Sequence, residues 1–308
     1  MIIKSQEDYG KFFNSNVGKC ILINSYDSEP GTEYSELKEI SKEELIGYRK
    51  AYNQFYHIIR LKRRFKMLEM NFESIYKGVT YWDSFIDSQQ TTDPSIHHEE
   101  MYIDLNRRFI NFLASFKTLI YDIILNSMIS KLFGKNSPEA EKFEKKTNEW
   151  YTKYFSYRFL VRLRDYAIHA KLPLQSVYVQ GDYNRERAKK VESKIHLILK
   201  KRPILENKVM KKIFEFELDR YNTEFPLLPI LENCHNVISE IEEYCYELFS
   251  PKFDEYCDNM MELLEQFEKP NKVSFGEITE QKDMIVPITS IIDSELLFET
   301  KERIKSYR

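Results

Sequence analysis

Arg158-Phe-Leu-Val-Arg162-Leu-Arg164-Asp165-Tyr-Ala-Ile-His169 has the pattern of a single helix. Three arginines, an aspartate and a histidine share a segment whose other positions are those of a buried helix. Charged side chains are placed that densely on a core helix when they are paired or used. At 100° per residue, with Arg164 at zero, Arg158, Arg162, Asp165 and His169 fall between about 100° and 160° and form one polar stripe. Phe159, Leu160, Leu163, Tyr166 and Ala167 cover the apolar side. Arg164 projects away from the stripe, on a stem long enough to reach round to it.

Helical signals continue on both sides. Ser137-Pro138-Glu139 starts a helix as expected for an N-cap followed by proline, and Phe143, Trp150 and Tyr154 lead into the motif. Leu172-Pro173 ends it, because proline disfavours helix at the residue before it. Upstream, a strong helical pattern runs from about Ile96 to Phe133, where Gly134 stops it. Leu105, Phe109, Phe112, Phe116, Leu119, Ile120 and Ile123 fall within an arc of about 100°. Arg107, Asn111, Thr118 and Asp122 gather opposite, within about 60°. That stripe is a solvent face unless another helix covers it and makes it the wall of a site.

Further out, Ser41-Lys-Glu-Glu44 is a capping box. It opens an amphipathic helix through Tyr48, Tyr52, Phe55 and Ile59 to about Tyr76. Its five basic residues between Arg60 and Lys66 read as a solvated face. Before it, a short helix is expected from Ser5 to Asn14, and Ser25 to Tyr34, with Pro30-Gly31, reads as a loop. Residues 87–95 form a polar linker. After the motif, alternation over residues 176–183 and 192–199 predicts a small β-hairpin with a basic connection. Beyond Pro203 the chain is helical from Ile204 to about Tyr221. An acidic helix or pair of helices, broken near Ser250-Pro251, then runs to about Phe267. Asn271 to Thr289 is irregular or weakly stranded, and a helix from Ile292 to Tyr307 closes the chain.

Composition supports a mainly α fold. Of 308 residues, 42% are apolar and 31% charged, with only 8 Gly and 10 Pro, too few for a sandwich, barrel or Gly-rich phosphate loop. No uninterrupted apolar run approaches the roughly 20 residues of a membrane span, and the N-terminus lacks a signal pattern, so a cytoplasmic protein is expected. Cys20, Cys234, Cys245 and Cys257 show no CxxC spacing and read as reduced, buried thiols. Charge is uneven: residues 151–202 carry thirteen Lys/Arg against four Asp/Glu, and residues 203–308 carry twelve against twenty-three. A basic middle is the sign expected for a polyanionic partner, unless the acidic C-terminal part packs on it and neutralises it. The expected organisation is an N-terminal helical region (1–94), a helical core with the basic hairpin (95–202) and an acidic helical region (203–308).

The spacings Arg164–His169 and Arg162–His169 both resemble the Arg-x(4–6)-His signature of the HEPN superfamily. The polar Asp165 directly after Arg164 matches the usual pattern better. Tyr157-Arg-Phe-Leu-x-x-Leu-Arg-Asp-Tyr-x-x-His169-x-x-Leu-Pro173 is also similar to a segment of uncharacterised all-helical microbial proteins. Their preceding helix is similar to Asn106-Arg107-x-x-x-Asn111-x-Leu-x-Ser-x-x-x-Leu-x-x-Asp122. They often carry asparagine where this chain has Asp165. The resemblance covers about residues 100–180 and implies a HEPN-like helical bundle core with helical extensions. It also implies a homodimer through the motif helices and a metal-independent endoribonuclease, in the role of a toxin or antiviral defence effector.

In that chemistry His169 takes the proton from a ribose 2′-hydroxyl. Arg164, Arg162 and Asp165 complete the catalytic set, with arginine stabilising the charge that develops on phosphorus. Arg158, Asn111, Arg107 and Asp122 are the candidate RNA-binding residues. Neither cofactor nor metal is expected: His97-His98 beside Glu99-Glu100 lacks ligand spacing. No P-loop, GxGxxG or GxSxG occurs. The RNA target and any neutralising or sensor partner are not legible. Two other readings stand beside this one: a non-catalytic HEPN-like nucleic-acid-binding or scaffold protein, and a helical regulatory or structural protein whose Arg/Asp/His stripe is an internal salt-bridge network.

Overall fold

The computed structural model describes residues 11, 15, 17–28, 31–88, 97–169, 171–184, 189–281 and 284–306. It gives backbone alone at 27–28, 31–37, 168–169, 181–184, 189–193, 279–281 and 284–291. In chain order the elements are β1 (Cys20–Ser28), β2 (Gly31–Ile40), α1 (Lys42–Ser88), α2 (His98–Leu132), α3 (Pro138–Lys153), α4 (Phe155–His169), β3 (Ser176–Asn184) and β4 (Lys189–Lys200). There follow α5 (Lys201–Glu206), α6 (Lys208–Leu218), β5 (Glu224–Pro226), α7 (Leu228–Leu264), β6 (Lys272–Gln281), β7 (Met284–Asp293) and α8 (Ser294–Lys305). The chain is mainly α. It divides into two compact units, Met1–Leu61 with Glu243–Arg308, and Lys62–Glu242. The boundaries expected after residues 94 and 202 both fall inside the second unit.

The first unit holds an antiparallel sheet in the order β2-β1-β6-β7. Ser25–Tyr34, expected as a loop, is mostly strand: β1 and β2 pair from Cys20↔Ile40 to Ser28↔Gly31, with an irregularity between Asn24 and Ser25. Asn271–Thr289, expected as weakly stranded at best, supplies most of β6 and β7. Ile21, Leu22 and Ile23 of this inner strand are all buried, so both of its faces are covered there. The helix expected over Ser5–Asn14 lies almost wholly outside the described residues.

In α1 the capping box closes as its sequence requires. The Ser41 amide donates to Glu44 Oε2 at 2.7 Å, and the Glu44 amide donates to Ser41 Oγ at 3.1 Å. Tyr48 and Tyr52 then meet Phe275 of β6 edge-on, at 6.2 and 5.8 Å. The break expected near Ser250-Pro251 is absent, and α7 continues through Pro251. Proline there removes the donor that the Glu247 carbonyl would have received. The Ser250 hydroxyl fills that place at 2.9 Å.

The second unit carries the motif. Its axis is α2, whose Leu105, Phe109, Phe112, Phe116 and Ile120 are buried with almost no exposure. Within it, Thr118–Ile129 winds with the wider i→i+5 turn. By length and composition α2 is apolar enough to cross a membrane, although half of its most apolar window is buried inside the structure. Gly134, at φ +101°, ends this helical run in a conformation that suits glycine. The expected hairpin is present as β3–β4, extended by β5 into a three-stranded sheet. The helix expected over residues 204–221 is divided: α5 stops at Glu206, and the Asn207 side chain accepts from the amides of Val209 and Met210 to start α6.

Candidate functional site

The motif helix α4 follows α3 after one extended residue, Tyr154. Tyr157, Phe159, Leu160, Leu163 and Tyr166 are buried, and Tyr157 meets Phe116 of α2 edge-on at 5.5 Å. This contact seats α4 on one flank of α2, the flank that bears Asn106 and Lys117. Lys117 Nζ lies 2.6 Å from Asp165 Oδ1, and Arg164 Nη1 lies 3.2 Å from the same oxygen. Partial burial opposes ionisation of Asp165, but the ammonium and guanidinium outweigh it and hold the carboxyl below its usual range.

These groups line a cleft of about 580 Å³. Its walls are Lys117 of α2, Arg162, Arg164, Asp165 and Tyr166 of α4, and Asn207, Val209 and Met210 at the start of α6. Three cations therefore face one carboxylate. Arg162 donates through Nε to the Tyr151 hydroxyl at 2.9 Å, a bond that favours its charged form. Arg164 is different: among the described residues its buried Nε has no hydrogen-bond partner, and its Nη1 is the nitrogen held by Asp165.

The helical wheel placed Arg164 off the polar stripe, whereas in the structure it shares the cleft with Arg162 and Asp165. Its flexible stem accounts for the difference. Arg158 shares the stripe by angle but does not line the cleft. Its guanidinium donates to the carbonyls of Tyr151 and Thr152 at the end of α3 and pairs with Glu217 of α6. Arg158 thus satisfies the carbonyls that a helix C-terminus leaves open. His169 is the last residue of α4, one turn beyond Asp165; its side chain lies outside the described residues.

The α2 stripe does not reach the cleft either. Asn111 and Asp122 are exposed, and Arg107 pairs with Asp104 at 2.6 Å. Asp104 also accepts from Arg108 at 2.8 Å and from the Trp82 indole at 3.1 Å, which ties this side of α2 to α1. The reason is angular: the stripe lies about 100° round the helix from Lys117. Lys117 is the cleft residue that sequence reasoning missed. Its signal was a cation standing between the apolar arc and the polar stripe, beside Asn106.

Asn106 is buried and anchors the chain just after the motif. Its Oδ1 accepts from the Leu174 amide at 3.0 Å, and its Nδ2 donates to the Tyr102 and Leu174 carbonyls at 3.1 and 3.4 Å. The alternative reading of the basic segment, neutralisation by the acidic part, is met in part: Lys171–Glu206, Lys200–Glu224 and Lys201–Asp219 pair at 3.1, 3.3 and 2.7 Å. Among the described residues no three His, Cys, Asp or Glu side chains gather to hold a metal ion. No protein-family model, curated protein or solved structure matches this chain.

Proposed function

We propose that the α2–α4–α6 cleft binds an RNA phosphodiester and that the chain is a cytoplasmic, metal-independent endoribonuclease of HEPN type. The observation that carries this reading is the convergence in one cleft of Lys117 of α2 with Arg162 and Arg164 of α4, the helix that ends at His169. Arg164, which lines the cleft with Nη1 on Asp165, is the arginine assigned to the phosphate; Arg162, steadied by Tyr151, supports it. Asp165 holds Lys117 and Arg164 at the cleft wall and yields them as phosphate oxygens arrive.

In the reaction His169 accepts the proton of a ribose 2′-hydroxyl. The 2′-oxygen forms a bond to phosphorus while the bond to the 5′-oxygen breaks. The leaving oxygen takes up a proton, and the products are a 2′,3′-cyclic phosphate and a 5′-hydroxyl. Extra negative charge on the phosphoryl oxygens meets the guanidiniums where water is partly excluded, and their attraction is strongest there. A homodimer through the motif helices, and a role as toxin or antiviral effector with its own neutralising or sensor partner, belong to this proposal by family likeness alone.

The experiment is RNA cleavage in EDTA with analysis of the product ends. His169→Ala is expected to abolish cleavage. Arg164→Ala is expected to lower it by about 100-fold, the scale of losing one donor to a developing oxyanion. RNA binding without cleavage under any condition would establish the non-catalytic alternative. Arg158 favours the salt-bridge reading at its own position, since its donors are taken by α3 and Glu217.

A further inference from the structure

A second groove of about 500 Å³ lies between α1 and α7 within the same unit, lined by Phe72, Glu73, Tyr76, Lys77, Glu232, His235 and Asn236. Its floor is aromatic. The Phe72 ring stacks on His235 with centroids 4.3 Å apart and meets Tyr76 at 5.1 Å. Phe72 is fixed from beneath by Phe112, at 6.0 Å.

Carboxylates surround that floor, and their pairing singles one out. Glu73 is held by Lys77 at 2.7 Å, and Glu69 by His235 Nε2 at 2.8 Å. Glu232 forms no ion pair among the described residues; its contact is the Tyr76 hydroxyl, at 3.4 Å. Burial, reinforced by Glu232, pushes the Tyr76 phenol up to about 12, so it stays a neutral donor at physiological pH. The result is a carboxylate with no ion pair among the described residues, beside a half-buried aromatic floor.

We propose that this groove takes the guanidinium of an arginine side chain presented by a partner polypeptide. A guanidinium is flat and weakly hydrated, so it stacks on an aromatic face and forms paired hydrogen bonds to a carboxylate in one pose. A lysine ammonium is compact and strongly hydrated and uses the aromatic floor less well. An anion is repelled by Glu232. The rim residues Lys77, Glu232 and Asn236 are exposed, so the groove covers the head of a side chain rather than enclosing a free molecule. The proposal is independent of the ribonuclease reading, since no residue of the basic cleft lines this groove.

The test is calorimetric titration of the full chain with two probes: the blocked tripeptide Gly-Arg-Gly and its lysine counterpart. The arginine peptide is expected to bind about fivefold more tightly than the lysine peptide. Glu232→Gln, at an exposed position, is expected to weaken it about tenfold, and Tyr76→Phe to weaken it less. Three outcomes overturn the proposal: no binding of the arginine peptide at ~10 mM, equal binding to wild type and Glu232→Gln, or the lysine peptide binding as tightly as the arginine peptide.

Discussion

Replacing Asn106 by alanine tests how the segment after the motif is held. Asn106 is 1% exposed and Leu174 is fully buried, so no water reaches the bonds between them. The variant loses three hydrogen bonds, but they do not weigh equally. The Leu174 carbonyl keeps the Tyr102 hydroxyl at 2.9 Å, and the Tyr102 carbonyl lies in the helix. The Leu174 amide has Asn106 Oδ1 as its partner and is left as a buried, unsatisfied donor, at about 1–3 kcal/mol. Alanine returns about 0.5 kcal/mol of helix propensity, so the net loss is about 1.5 kcal/mol, or ~3–6 °C in Tm for a unit of this size. Both tryptophans, Trp82 and Trp150, lie in the Lys62–Glu242 unit, so denaturant unfolding followed by tryptophan fluorescence reads it directly. Tyr102→Phe serves as the control and should cost less than Asn106→Ala, because the Leu174 carbonyl then retains Asn106. A loss below ~0.5 kcal/mol for Asn106→Ala, within the range of ordinary surface substitutions, or the reverse ranking, refutes the reasoning. So does undiminished hydrogen-exchange protection of the Leu174 amide in the variant.

Three further outcomes are expected. Asp165 has a folded pKa below its unfolded value of roughly 3.9, so its contribution is complete above that pH and is lost as pH falls through the folded value. Its side chain is a third exposed, so the term is only ~0.5 kcal/mol. Denaturant midpoints between pH 5 and pH 2 should fall less steeply in Asp165→Asn, and parallel slopes would count against the Lys117–Asp165–Arg164 cluster. Arg158→Ala should destabilise by about 2–3 kcal/mol, since it strips two carbonyls and Glu217 of a donor. Lysine should restore less than half of that loss in the same melts, because one ammonium cannot spread over the three acceptors as a planar fork does. All four cysteines are buried, and burial pushes the Cys257 thiol up to about 12. A thiol-disulfide reagent should therefore titrate none of them rapidly in native protein and all of them after denaturation; a native burst would contradict this.

The helices were legible because their signals are local. Ser41 and Glu44, Ser137 before Pro138, and Gly134 each act within four residues of where they stand. The sheet of the first unit was not legible, because β1 finds β6 far along the chain and β2 is an edge strand that needs little apolar character. Pro251 misled for a related reason. What keeps α7 continuous is the rotamer of Ser250, and sequence patterning does not record it. At the site, the wheel separated Arg158 and Arg162 from Arg164 by direction at Cβ. The cleft sorts them instead by where long side chains end and by what α3 and α6 offer them. Lys117 escaped because the α2 stripe was read by its centre, whereas α4 packs along its flank.

The pairing of β1 with β6 sets a timing problem for the chain as it is made. Ser25 and Lys272, which bond to each other, are 247 residues apart. At about 5–20 residues per second, the β1–β2 hairpin therefore waits on the order of ten to fifty seconds for its neighbour. Throughout that interval the backbone of Ile21, Leu22 and Ile23 lacks its pairing with β6, and that edge of β1 is open to any extended segment. The Lys62–Glu242 unit, contiguous in sequence, can close within the same interval. Assembly then runs from the middle outward, and β1, made long before β6, is sealed only once β6 has been made.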